Sequence, residues 1–181
     1  MMKSMRESFE ENYQAVREPF HNKQGFRICY EYIGPWYQWN LNPESLRMEK
    51  RRFGSMCAVS LILFLAGSFQ NSVLNCSRYT ELFGLLSTAA FIFEIIGTIQ
   101  FCMTKEKVTN MTFFDIHTKL MAAPLIHGLL LMCMAAACVP VLAARGVSAV
   151  DIGVLLCNLG AGGASFVIFV RYSRLTYSVA T

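Results

Sequence analysis

The sequence predicts an all-α integral membrane protein: a bundle of four transmembrane helices behind a small cytoplasmic helix and β-hairpin. Three observations predict it. Of 181 residues, 54% are hydrophobic and only 15% charged, where soluble domains carry nearer a quarter charged. Residues 1–52 hold most of that charge, and four later segments are nearly free of it: 54–74, 80–103, 118–143 and 149–170. Each has about 21–26 residues, enough at 1.5 Å per residue to cross a hydrocarbon core about 30 Å thick. Finally, Lys and Arg are distributed unequally between the ends of these segments. Arg47, Lys50, Arg51, Arg52, Lys105, Lys107, Lys119, Arg171 and Arg174 fall on one side, against Arg78 and Arg145 on the other. The basic side faces the cytoplasm, so both termini are expected there.

The expected organisation is therefore a cytoplasmic region, 1–52, and a membrane bundle, 53–181. No short basic region precedes an early apolar run, so a cleavable signal is not expected and the first span would act as its own insertion signal. Short loops and the lack of organelle signals point to a plasma membrane, and to a bacterial inner membrane in particular. The net charge of +4 follows from this orientation and gives no argument for nucleic-acid binding.

Within the first region, Met2, Met5, Phe9, Tyr13, Val16 and Phe20 recur at three- and four-residue intervals, which predicts an amphipathic helix over 3–18. Its polar face mixes Lys3, Arg6 and Arg17 with Glu7, Glu10, Glu11 and Glu18. A lipid-surface helix is basic on that face, so docking on protein is the better reading. Residues 26–41 read as a β-hairpin: Phe26, Ile28, Tyr30 and Tyr32 alternate, Gly34-Pro35 turns, and Trp36 to Leu41 return. Two strands alone are marginal in water, so Tyr30, Tyr32, Trp36, Tyr37 and Trp39 are candidate contacts to a partner or, equally, an aromatic anchor at the bilayer interface. Asn42-Pro43-Glu44 is a helix start, opening a stalk over 43–52 that leads into the first span. The segment 104–117 reads as a polar loop with a short turn at 112–115, its charges solvated.

Each span carries one stripe of small or polar residues, which in lipid turns toward other helices. The stripes are Ser60, Phe64, Gly67 and Asn71; Thr80, Gly84, Ser87, Phe91, Glu94, Thr98 and Cys102; His117, Met121, Pro124, His127 or Gly128, Leu131 and Cys138; and Asn158, Gly162, Ser165 and Phe169. Leu61, Ile62, Leu85, Ile92 and Leu130 would face acyl chains. Gly160, Gly162, Gly163 and Ala164 predict a close helix approach. Two residues stand out, because an ionisable group at bilayer depth costs roughly 2.5–3.5 kcal/mol on insertion scales. Glu94 and His127 each lie about nine residues from the cytoplasmic end of antiparallel neighbours, roughly 13–14 Å deep. Desolvation favours the neutral form of each group and direct contact favours charge. Such a pair either fixes helix register or shares one proton in a relay, with Pro124 freeing a carbonyl nearby.

The seven cysteines show no CxxC pair and no zinc spacing; five fall within spans and read as buried thiols. Nucleophile triads, acidic pairs, P-loops and dinucleotide fingerprints are likewise not found. The expectation is thus a non-catalytic protein with no cofactor and no metal. Its partners would be the bilayer and either further copies of itself or another membrane protein. The leading reading is a subunit or accessory component of a transport or signalling assembly, docking through the N-terminal region. The alternative is a small oligomeric transporter or channel, coupled to protons or cations through Glu94 and His127.

Overall fold

The structure, a computed structural model, describes residues 5–21 and 25–180; Met2 and Lys3 of the amphipathic pattern lie outside them. The chain forms two compact units. One comprises the described residues up to Asn40 with Thr104–Asp115 and the tail from Thr176; the other is helical, Leu41–Met103 with Ile116–Leu175.

The first unit departs from the sequence expectation. Helix α1 (Met5–Asn12) stops where a helix to residue 18 was expected, and β1 (Tyr13–Pro19) follows. Strand β1 pairs antiparallel with β2 (Phe26–Tyr32), from Tyr13 opposite Tyr32 to Pro19 opposite Phe26. The predicted hairpin over 26–41 is corrected with it: β3 (Trp36–Trp39) does not return along β2. It is the middle strand of a three-stranded antiparallel sheet, between β4 (Lys107–Thr109) and β5 (Tyr177–Ala180). The expected loop at 104–117 therefore supplies a strand. Tyr37 explains the arrangement physically. Its ring stacks on Phe113 at 4.6 Å between centroids, and Tyr177 reaches the same Phe113 at 4.5 Å, so the aromatic face is buried by chain from distant parts of the sequence.

In the helical unit, α2 (Pro43–Ser68) starts where expected, with Asn42 Oδ1 accepting the Ser45 N–H at 2.7 Å. Stalk and first apolar segment form one helix. It ends at Ser68, not 74, and a 3₁₀ turn, Val73–Cys76, follows. Helices α3 (Arg78–Met103), α4 (Asn110–Arg145) and α5 (Ala149–Ser173) are each long and apolar enough to cross a membrane. The expected count of four spans is not reached on this criterion. Charged residues occupy the first turns of α2, and its apolar part, Phe53 to Ser68, covers about 16 residues, or roughly 24 Å.

Side chains join the helices pairwise. Phe53 meets Phe101 and Tyr172 near one end, and Leu74, Cys138 and Val154 form a buried cluster near the other. Gly146, at φ +83°, ends α4 in the left-handed conformation that glycine adopts freely, and Ser148 and Asp151 cap α5 reciprocally. Leu61, Ile62, Leu85 and Ile92 are exposed, as side chains meeting acyl chains would be.

Candidate functional site

Glu94 and His127 are each 0% exposed, and the structure brings them together. Nδ1 of His127 lies 3.0 Å from Oε2 of Glu94 and 3.0 Å from Oγ of Ser165, while Ser165 donates its hydroxyl proton to Oε1 of Glu94 at 2.9 Å. Three helices thus meet at one carboxyl group. Ser60 of α2 joins as the fourth, 3.0 Å from Ser165 Oγ and donating to the Ala161 carbonyl at 3.1 Å.

Local sequence positions each group. Gly128 and Gly162 lie beside His127 and Ser165; a Cβ on Gly128 would meet the Gly162 carbonyl oxygen at 3.1 Å. Only bare backbone lets α4 and α5 approach this closely, and the approach carries Ser165 onto the His127 ring. Gly97 does the same between α3 and α4, where an added Cβ would meet Lys119 Cβ at 2.9 Å. Phe91 covers the imidazole at 4.5 Å between centroids and Phe64 meets it edge-on at 5.8 Å. Pro124 is fully buried on the preceding turn.

Proton counting assigns the tautomer. Ser165 has one hydroxyl proton, and it goes to Glu94; its oxygen therefore accepts from His127, so Nδ1 carries hydrogen. Two donors then converge on Glu94. Among the described residues Nε2 of His127 is buried without a hydrogen-bond partner, and a bare acceptor there costs less than a stranded N–H. Both partners of the imidazole meet the same nitrogen, whereas a Ser-His-acid hydrolase relay uses both.

The other predicted residues distribute as follows. Ser87 is buried with its Oγ unpartnered among the described residues, Thr98 is buried one turn from Glu94, and Asn158 is buried facing Gly67. Asn71 lies beyond the end of α2 and is exposed, so it leaves the polar stripe. Of the small-residue run, Gly162 makes the close approach, Gly160 faces the Leu63 side chain, Gly163 faces open space and Ala164 is half-buried. Sequence reasoning did not pair Ser60 and Ser165 with the Glu94–His127 contact, although both lay on the predicted inward stripes. Of the candidate docking aromatics, Trp39 is buried and Tyr37 half-buried on Phe113. The Tyr32 hydroxyl donates to the Pro35 carbonyl and accepts the Asn110 N–H. Tyr30 and Trp36 remain exposed. Among the described residues, no cluster of His, Cys, Asp and Glu has the makings of a metal site.

Comparison of the chain with protein-family models, with curated proteins and with solved structures finds no match.

Proposed function

We propose that this protein is a non-catalytic, multi-pass subunit of a membrane assembly, for transport or signalling, docking a partner through its N-terminal ribbon. In this reading α2 is a fourth crossing, and both termini lie on the cytoplasmic side of a plasma membrane such as a bacterial inner membrane. One observation supports it most: Ile28 and Tyr30 stand side by side on one face of β2, exposed by 57% and 59%. Among the described residues the ribbon β1–β2 has no third strand, and two strands are marginally stable without a surface to rest on. A membrane-protein partner or a second copy of this chain would supply that surface.

A second reading rests on the Glu94 cluster: a small oligomeric proton- or cation-coupled transporter. A proton taken up at the bare Nε2 would make the imidazole a cation, and transfer of its Nδ1 proton to Oε2 would then leave a bare Nδ1 facing the Ser165 oxygen. Rotation of the Ser165 hydroxyl from Oε1 to Nδ1 would repair the contact, so proton transfer and hydroxyl rotation are linked. The zero exposure of the cluster gives a lone chain no path to it, which favours the subunit reading.

Purification under mild detergent tests both. Joint Ile28→Ser and Tyr30→Ser substitution should release a stoichiometric partner that Glu94→Gln retains. Proton-linked flux in liposomes holding the protein alone, abolished by Glu94→Gln, would instead establish the transporter and sink the subunit reading.

A further inference from the structure

A groove of about 440 Å³ follows the last turns of α5, lined by Phe166, Val167, Val170, Arg171 and Arg174, with Glu49 of α2 opposite. Its polar end is cationic. Glu49 accepts from Arg52 at 2.6 Å and from Arg171 at 3.2 Å, so two guanidiniums already meet its single charge. Arg174 is exposed, and its side chain has no ion-pair or hydrogen-bond partner among the described residues. Three positive groups thus surround one negative group. The other end is apolar: Phe166 and Val167 are exposed by 46% and 38% on a helix long and apolar enough to cross a membrane. Eight residues separate Phe166 from Arg174, about 12 Å along the axis, a span reaching from acyl chain to headgroup.

We propose that this groove holds one anionic phospholipid of the leaflet at the Arg171 end. Its phosphate is bound by Arg171 and Arg174, and an acyl chain lies on Phe166, Val167 and Val170. A guanidinium fork matches phosphate oxygens in pairs, and basic pockets between membrane helices select acidic headgroups. The apolar wall favours a lipid over a soluble anion, because it continues the surface that the bilayer covers.

Native mass spectrometry of the full chain, released from mild detergent, tests this with equimolar phosphatidylglycerol and phosphatidylcholine of identical acyl chains. Phosphatidylglycerol should be retained at least fivefold better, about the effect of one arginine near an anionic surface. Arg174→Gln should cut its retention about fivefold and leave phosphatidylcholine unchanged. Arg174→Lys should restore part of the loss, and Arg78→Gln, at the start of α3, should change nothing. Equal retention of the two lipids, or an Arg174→Gln protein that still prefers phosphatidylglycerol, would overturn the proposal. Glycerophosphate retained as well as the whole lipid would overturn it too, since the apolar wall would then contribute nothing.

Discussion

Ser165 donates to Glu94 at 2.9 Å while its oxygen lies 3.0 Å from His127 Nδ1, so a single hydroxyl fixes which way the proton on the imidazole points. Removing that hydroxyl leaves Glu94 and His127 facing each other but short of one partner. Ser165→Ala is expected to cost about 1–3 kcal/mol, the penalty for under-satisfying a buried polar group. Chemical unfolding in mild detergent, followed by helical circular dichroism, measures it.

His127 and Glu94 should couple energetically. His127→Leu strands a buried carboxyl group and is expected to cost about 3–5 kcal/mol. The double substitution Glu94→Leu with His127→Leu replaces the whole pair by apolar volume and should cost clearly less than the two single changes together. An additive double variant would mean that the contact carries no energy.

Gly128 and Gly163 should respond oppositely to a methyl group. Gly128→Ala places a Cβ 3.1 Å from the Gly162 carbonyl oxygen, a backbone atom with no freedom to yield. A loss of about 1–3 kcal/mol is expected. Gly163→Ala meets nothing within 4 Å and should stabilise by up to about 1 kcal/mol through helix propensity. Thermal midpoints of the two variants, read side by side, check the pair.

The ribbon carries a pH-dependent element outside the helical segments. The Arg27 guanidinium, with help from the Cys29 thiol, holds the Glu18 carboxyl below its ordinary value of 4.5. The unfolded chain binds the proton more readily, so this contribution to ribbon stability is complete above pH 4.5. It fades as pH falls through the lowered value. The protection factors of the β1 and β2 amides, corrected for the intrinsic slowing of exchange in acid, should fall on acidification in the parent protein, and Glu18→Gln should flatten that response.

Much of the helical unit was legible in the sequence, because lipid leaves few options for a run of apolar residues about twenty long. The Glu94–His127 contact followed from equal depth on neighbouring antiparallel helices. The sheet unit was not legible. Tyr13, Val16 and Phe20 fit a helical spacing, no apolar alternation marks 13–19 as a strand, and pairing with β2 overrode the helical period. Such pairing is context-dependent and leaves a weak local trace. Strands as short as Lys107–Thr109 and Tyr177–Ala180 carry still less signal. What selects them is Phe113, completely buried beneath rings from β3 and β5, a contact between residues far apart in sequence. The end of α2 at Ser68 was missed because Phe69 and Val73 extend the apolar run past the point where backbone bonding stops.

The span count of α2 is the point on which the whole orientation turns, and two exposed positions flanking it report it: Cys76, in the turn after α2, and Glu31, in β2 before it. In intact cells, a membrane-impermeant maleimide should label a variant whose sole cysteine is Cys76. A variant whose sole cysteine is introduced by Glu31→Cys should react only after the membrane is opened. Labelling of both from the same side would contradict the account, since α2 would then not cross and, with α3, α4 and α5 crossing, the two ends of the chain would lie on opposite sides.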